Sequence, residues 1–163
     1  MTRRTALIVE VPEAEHGVAA LRLDHDPMAR LGVPAHITIL FPFAPPDDVD
    51  EQAIAEVLAR FAGFSFVLDR VERFPDGLVW LHPEPSEPFG ALTHAFAARW
   101  PSHPPYEGAH ETVIPHLTLS VTPLEVRVAL PIACVARAVT LLEEGADLRW
   151  RVRRRFGLQA VVA

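Results

Sequence analysis

The sequence of 163 residues contains no lysine, a single cysteine and no apolar run near the roughly 20 residues that span a bilayer. All fifteen basic residues are arginine, so chemistry that needs a lysine, such as Schiff-base formation or a P-loop, is excluded. The one cysteine, Cys134, cannot form an intramolecular disulfide, and its apolar neighbours favour a buried, unreactive thiol. These absences favour an intracellular protein. We expect a cytoplasmic location and no membrane partner.

Composition and charge narrow the class further. Half of the residues are hydrophobic and 22% are charged, which is typical of a folded globular chain and excludes wholesale disorder. The net charge of −6 argues against nonspecific coating of nucleic acid, but it permits an enzyme that handles one phosphate at an RNA end. The length favours a single domain over residues 1–163, which we expect to have two lobes and to be monomeric.

The pattern of apolar residues, prolines and glycines predicts strands that alternate with helices. Strands are predicted at about 4–11, 36–41, 64–74, 78–81, 116–120, 134–142 and 148–158. Helices are predicted at about 12–24, 49–61 and 88–100, with one helical turn at 124–128. Residues 101–115, with four prolines, are predicted to form a loop. Helices on one side of mostly antiparallel strands give the α+β class.

One pattern, His-aliphatic-Thr-aliphatic, occurs twice, at residues 36–39 and eighty positions later at 116–119. Because side chains alternate along a strand, each copy places its histidine and threonine on one face and its two aliphatics on the other. The four polar side chains are His36, Thr38, His116 and Thr118. Two imidazoles can act as acid and base near neutral pH, and two hydroxyls can hold the oxygens of a phosphate. The repeat therefore predicts two matched polar pairs that line a shared groove.

The paired motifs also carry a family resemblance. Together with Pro42-Phe43 after the first copy, Pro115 before the second and the stretches 73–75 and 106–108, they resemble the 2H phosphoesterase superfamily. The likeness is to its bacterial 2′-5′ RNA ligase-like and cyclic phosphodiesterase branch, and it runs from Ala6 to about Gly157. The resemblance implies a bilobal α+β fold of two pseudo-symmetric antiparallel sheets, backed by helices, with a central cleft. It also implies chemistry on 2′,3′-cyclic phosphates of RNA ends or small nucleotides, without metal or other cofactor.

By the same resemblance, His36 and His116 would be the general base and the general acid, and Thr38 and Thr118 would bind the non-bridging phosphate oxygens. In-line attack of water places base and acid on opposite sides of the phosphorus, which a two-fold arrangement of histidines supplies. For hydrolysis we favour His116 as base and His36 as acid, with 2′-5′ ligation as the reverse of related chemistry. One departure from the family is the segment 121–131, which is short for the helix expected there.

Four further residues are candidates for contact with substrate. Phe43 and Tyr106 can either stack on a nucleobase or pack in the core or loop. Arginines recur at positions 149, 151, 153 and 155, so a strand places them on one face, which is either solvated or an RNA-backbone track. Arg151 and Arg153 are the candidates from that row.

A metal site is not predicted. The pair His110-Glu111 suggests a zinc protease helix, but the next histidine, His116, follows six positions later instead of four, with Pro115 between. His103 and His110 lie in the predicted loop and are expected to be solvated. The alternative function is a noncatalytic RNA-end or nucleotide-binding module with the same cleft, which would bind 2′,3′-cyclic AMP without converting it. A metal-dependent hydrolase that uses the histidine-rich loop is the third candidate, and full activity in chelator would exclude it.

Overall fold

Two four-stranded antiparallel sheets form the centre of the computed structural model, which describes residues 2–108 and 112–161. The strands are β1 (Thr5–Glu10), β2 (His36–Leu40), β3 (Phe64–Arg73), β4 (Val79–Glu84), β5 (Leu117–Ser120), β6 (Ile132–Ala136), β7 (Ala138–Glu144) and β8 (Trp150–Gly157). The first sheet has the order β2-β1-β7-β8 and the second has the order β5-β4-β3-β6. The α+β class with two antiparallel sheets is thus confirmed.

The helices are α1 (Pro12–His25), α2 (Pro27–Arg30), α3 (Glu51–Leu58) and α4 (Glu87–Arg99). Helix α1 begins at a proline, whose missing N–H costs nothing in the first turn, and Glu13 and Glu15 interact favourably with the helix dipole there. Helix α3 is capped by Asp50, whose carboxylate accepts a hydrogen bond from Ala53 N at 3.0 Å. No helix in the described ranges is long and apolar enough to cross a bilayer.

The two sheets are related in their connectivity. Each motif strand, β2 or β5, is an edge strand that pairs antiparallel with the strand before it, and a helix connects the two strands. The helices are exchanged between the sheets: α1 packs on β5 and β6 of the second sheet, whereas α4 packs on β2 of the first. The hydroxyl of Thr93 in α4 donates to the backbone carbonyl of Ile39 at 2.7 Å, which ties α4 to β2.

The aliphatic residues of both motifs lie in the main hydrophobic core, as their alternation predicts. Ile37, Ile39, Leu117 and Leu119 are at most 2% exposed. They pack in one cluster that also holds Phe89, Phe96 and residues of both sheets and of α1, α3 and α4. Burial of each such side chain contributes roughly 1.5–3 kcal/mol, so the core fixes which face of each motif strand is left for the histidine and threonine.

Two expectations of local structure are wrong, and one helix was not predicted. The helical turn at 124–128 is absent, and residues 121–131 run without helix or strand. The strand expected at 134–142 is two strands, because the chain leaves the second sheet at β6 and enters the first sheet at β7, with Arg137 between them. Helix α2 was not anticipated; it begins where Asp26 accepts a hydrogen bond from Met28 N at 3.1 Å.

Candidate active site

The two motif strands bring the four polar side chains together. Strands β2 and β5 are edge strands of different sheets, and they contact each other. His36 opens β2, and His116 directly precedes β5. Both histidines and both threonines are half-buried, with their aliphatic neighbours in the core.

Both histidines are held in the same tautomer. The Nδ1–H of His36 donates to the carbonyl of Pro34 at 2.8 Å, and the Nδ1–H of His116 donates to the carbonyl of Ile114 at 2.7 Å. A carbonyl oxygen only accepts hydrogen bonds, so we assign the proton of each neutral ring to Nδ1. Each Nε2 is then the atom that can take up or release a proton.

The surroundings favour the neutral form of both imidazoles. Burial, which disfavours the charged ring, lowers the pKa of His36 to about 4, and the charges of Arg22 and His116 act in the same direction. The Pro34 carbonyl and the carboxylate of Asp26 oppose that shift of the His36 pKa. Burial also lowers the pKa of His116, against the effect of its bond to Ile114. A negatively charged ligand between the rings would reverse part of both shifts.

Three of the four motif side chains line one cavity, here called cavity A, of about 200 Å³. They are His36, Thr38 and Thr118. The other walls are mostly apolar, with one carboxylate, that of Asp26. These walls comprise Ala6, Ile8, Asp26, Met28, Val33, Phe41, Leu78, Val121, Leu142 and Trp150.

The fourth side chain, His116, lines a second cavity, here called cavity B. Its other walls are Phe74, Pro75, Asp76, Tyr106 and Ile114. The motif residues therefore lie between two cavities, one beside each histidine.

Two aromatic side chains, Phe74 and Trp80, contact the ring of His116. The ring centroid of Phe74 is 5.0 Å from that of His116, edge to face, and the centroid of Trp80 is 5.9 Å away. Phe74 and Trp80 are themselves stacked at 4.8 Å. The two rings limit the orientations that His116 can adopt. The sequence analysis did not identify them as site residues, although Trp80 pairs in register with Thr118 across β4 and β5.

A buried ion pair adjoins His36 and cavity A. The guanidinium of Arg22, in α1, donates to the carboxylate of Asp26 at 3.1 Å and to the carbonyl of Val33 at 3.1 Å. Arg22 is 1% exposed and Asp26 is 3% exposed. Neither was among the predicted site residues, since charged residues are ordinarily exposed to solvent.

The aromatic candidates from the sequence are placed differently. Tyr106 lines cavity B beside His116, and its hydroxyl donates to the carbonyl of Ile114 at 3.4 Å. Phe43 instead lies in the core, 4% exposed, with its ring edge-on to Trp100 at 5.1 Å. Core packing, the other use considered for Phe43, is the one the structure adopts.

The arginine candidates on β8 lie outside the walls of cavities A and B and make ion pairs within the protein. Arg151 binds Asp147 at 2.6 Å, and the half-buried Arg153 binds Glu51 at 3.0 Å. The expectation of one continuous arginine face is wrong, because the register of β7 and β8 shifts between Leu141 and Leu142. Arg155 consequently reaches Glu10 of β1, at 3.0 Å.

One group in the described ranges has ligand atoms spaced for a metal ion: Asp69, His82 and Glu84, with those atoms within 4.8 Å of one another. No motif residue belongs to this group. Residues 109–111, which include His110 and Glu111, lie outside the described residues, so the argument about them rests on sequence spacing alone. Cys134 is 3% exposed, and burial raises its pKa to about 12. Both properties fit an unreactive thiol.

Comparison with known proteins agrees with this architecture. The family model described as the 2′-5′ RNA ligase superfamily matches residues 9–157. Escherichia coli LigT in complex with NADP+ has a TM-score of 0.64 at 20% identity, covering 97% of this chain and 98% of that one. LigT in complex with 3′-AMP has a TM-score of 0.63 at 20% identity, covering 98% and 99%. TT0787 of Thermus thermophilus has a TM-score of 0.65 at 19% identity, covering 98% and 100%. No curated protein sequence matches the chain significantly.

Proposed function

Since this chain belongs to the 2′-5′ RNA ligase superfamily, we propose that it is a metal-independent phosphodiesterase that opens 2′,3′-cyclic phosphates. The substrates are RNA ends or small nucleotides, and joining of RNA ends through a 2′-5′ bond is the reverse of related chemistry. The observation that carries the proposal is the matched state of His36 and His116. Each ring has its Nδ1 proton bound to a carbonyl, which leaves Nε2 to exchange protons. His36 begins β2, and His116 directly precedes the adjacent edge strand β5.

The reaction needs one base and one acid on opposite sides of the phosphorus. Water attacks the phosphorus while one Nε2 accepts the water proton. The bond between phosphorus and one ribose oxygen breaks, and that oxygen takes a proton from the other Nε2. A nucleoside monophosphate results, and the two histidines have exchanged their protonation states. Acid and base groups placed in this way each contribute about 10² to 10⁴ in rate.

The threonines supply hydroxyl donors to the two non-bridging oxygens. Thr38 and Thr118 both line cavity A with His36. Donors already aimed at a site of developing charge, in a pocket that holds little water, are worth several kcal/mol in the transition state. The sequence has no lysine, and among the described residues no arginine lines cavity A or cavity B, so these hydroxyls and the imidazolium stabilise the phosphate charge in the proposed mechanism.

The proposal is tested by turnover of 2′,3′-cyclic AMP in EDTA. Wild-type protein should convert it at the same rate with and without chelator. His36→Ala and His116→Ala should each lower kcat by at least about a hundredfold, because each removes one proton-transfer group. The matched control is His94→Ala, since His94 is an exposed histidine of α4 and should be dispensable.

Each of the other outcomes would indicate a different function for this protein. Binding of the cyclic nucleotide without conversion would indicate a noncatalytic nucleotide-binding module. Activity that is lost in EDTA and restored by a divalent cation would indicate a metal-dependent hydrolase. Unchanged turnover in either histidine variant would contradict the two-histidine mechanism.

A further inference from the structure

The short segment that leads into β2, residues 33–35, is bonded at every backbone polar group. The N–H of Val33 donates to the carbonyl of Met28 at 3.0 Å, and the carbonyl of Ala35 accepts from the N–H of Val11 at 2.9 Å. The remaining groups, which are the carbonyls of the first two residues and the N–H of the third, bind side chains. The middle residue is a proline and has no N–H to satisfy.

Two side chains of helix α1 hold this segment. The guanidinium of Arg22 donates to the carbonyl of its first residue at 3.1 Å, and the carboxylate of Glu15 accepts from the N–H of its third residue at 2.7 Å. Between these two bonds lies the carbonyl of Pro34, which accepts the Nδ1–H of His36 at 2.8 Å. The direction of that carbonyl, and with it the tautomer of His36, therefore depends on peptide groups that α1 holds.

The ion pair between Arg22 and Asp26 is costly to bury. One carboxylate oxygen of Asp26 accepts from the guanidinium at 3.1 Å, and the other accepts from the N–H of Met28 at 3.1 Å. Taking both charges out of water costs several kcal/mol per ion, and well-packed apolar residues of similar size are often no less stable in their place. Stability alone therefore does not account for a buried pair at this position.

Helix α1 is itself fixed to the second sheet, which carries the other motif. It packs on β5 and β6. Near its start, the carboxylate of Glu13 accepts from the N–H of Val135 at 2.8 Å. At its end, the carbonyl of His25 accepts from the N–H of Val121 at 3.0 Å, directly after β5. Arg22 thus links the segment before the first motif to the sheet that carries the second.

The ring of His116 lacks a corresponding support. Its Nδ1–H binds the carbonyl of Ile114, which also accepts from the hydroxyl of Tyr106 at 3.4 Å. Within the described parts of the chain, no charged side chain bonds to the backbone of residues 113–115. Loss of the Arg22 contact should therefore affect one histidine of the pair, and the other provides a comparison within the same molecule.

We propose that Arg22 and Asp26 are positioning residues: the guanidinium, held by the carboxylate, fixes the segment 33–35 and so keeps the proton of His36 on Nδ1, with Nε2 left for proton transfer. The kinetic part of this inference rests on the proposed function. The state of the ring is independent of turnover and can be measured in the free protein.

Nitrogen-15 NMR of the histidine rings tests the inference, because protonated and unprotonated ring nitrogens have well-separated shifts. At pH 8 both rings are neutral, since burial lowers both pKa values, and wild-type protein should show the Nδ1–H tautomer for both. In the double variant Arg22→Met/Asp26→Asn, His36 should become a mixture of tautomers, whereas His116 should not change. Both charges are removed together because one left buried alone would cost about 3–5 kcal/mol.

Two further variants complete the comparison. Arg22→Lys keeps the buried charge pair, but a single ammonium lacks the planar fork that serves the carbonyl and the carboxylate together. It should also give a mixture at His36, and it replaces the double variant if that protein does not fold. Arg30→Met is the matched control, since Arg30 is an exposed arginine that donates to the carbonyl of Leu23 at 2.7 Å, and both rings should keep their tautomer.

Turnover of 2′,3′-cyclic AMP measures the consequence for the reaction. In the double variant, kcat should fall about tenfold to a hundredfold, the cost of a misplaced catalytic group, while KM changes by less than about twofold because both threonines stay in place. A general loss of stability does not produce that division between kcat and KM. Circular dichroism at the assay temperature verifies that each variant is folded.

Three results would overturn the inference: a folded double variant, or folded Arg22→Lys in its place, in which His36 keeps the Nδ1–H tautomer; a change of tautomer at both histidines; or a change at His36 that leaves kcat unaltered. If wild-type protein turns nothing over but the tautomer of His36 still depends on Arg22, the positioning role stands and the proposed function fails. If wild-type protein is active and the variants match it in tautomer and rate, the proposed function stands and the positioning role is refuted.

Discussion

At the scale of single residues, the site depends on two histidines that are kept neutral in the free protein. Burial lowers the pKa of both rings, and that of His36 lies near 4. Acid–base catalysis by the pair needs one ring protonated and the other neutral. That state is rare near neutral pH in the free protein, because both rings are then mostly neutral. The negative charge of a bound phosphodiester favours the protonated form, so substrate itself assists in preparing the acid.

The pH dependence of kcat/KM follows from these directions. In the free protein, the state with one proton on the pair is favoured between the two lowered pKa values, which both lie below the ordinary 6.5. We predict a bell-shaped profile with its maximum below pH 6.5. The rate falls at higher pH because the pair loses its one proton, and it falls towards pH 4 and below because both rings become protonated. Initial rates with 2′,3′-cyclic AMP from pH 3.5 to 9 provide the measurement, and a maximum at pH 8 would contradict it.

The separate roles of the histidines can be distinguished by the leaving group. If His36 protonates the leaving ribose oxygen, a cyclic nucleotide with sulfur in place of that oxygen needs little help from His36, because a thiolate leaves without a proton. We predict that the factor by which His36→Ala lowers activity is at least tenfold smaller for the sulfur compound than for the oxygen compound. His116→Ala should lose equally on both. The opposite pattern would give His116 the acid role.

At the scale of elements, the motif strands are edge strands that the rest of the fold must hold in place. The carbonyl of Ile39 in β2 is bound by the hydroxyl of Thr93, which is 2% exposed. Without that hydroxyl the buried carbonyl has lost its partner from α4.

We predict that Thr93→Val lowers the free energy of unfolding by about 1–3 kcal/mol, the cost of an unsatisfied buried acceptor. Thr93→Ser keeps the hydroxyl and should retain most of the stability. Urea unfolding monitored by circular dichroism measures both. Equal stability of the valine variant and wild type would indicate that this bond does not hold α4 to β2.

Most elements and the polar pairs could be predicted from the sequence because their signals are local. The proline and acidic residues that begin α1 and the alternation within the motifs act over a few residues. The helical turn predicted at 124–128 is wrong, although the signal there is also local. Leu124, Val126, Val128 and Leu130 are half-buried, and the residues between them are exposed. That period of two indicates an extended chain along the core, and Pro123 and Pro131 disfavour helix at either end.

Other features could not be predicted because they depend on contacts between distant parts of the chain. The division at Arg137 depends on which sheet each half of the segment joins. The shift in register at β8 depends on its pairing with β7. Four wall residues of cavity A come from three separate segments and carry no shared motif: Asp26 with Met28, Phe41, and Trp150. Only the fold brings them to one cavity.

At the scale of the whole molecule, the two sheets share one main core. Helix α1, which follows β1 of the first sheet, packs on the second sheet, and α4, which follows β4 of the second sheet, packs on the first. Separation of the two sheets would expose the apolar side chains of both helices to water.

We predict a single cooperative thermal transition, with equal calorimetric and van't Hoff enthalpies, as for one folding unit. Scanning calorimetry of the full chain is the measurement. Two resolved transitions, or one sheet that remains folded after the other has unfolded, would show that the exchanged helices do not couple the two sheets.

The exchange of α1 and α4 also has a consequence for genetics. A substitution that disturbs the packing of β5 behind His116 also disturbs α1, which precedes the first motif in the sequence. A substitution that disturbs the packing of β2 behind His36 also disturbs α4. In a selection for restored activity, the second-site suppressors should therefore lie in the helix that packs on the affected strand, not in the helix nearest to that strand in the sequence. Those that rescue a defect in β5 should map to α1, and those that rescue a defect in β2 should map to α4.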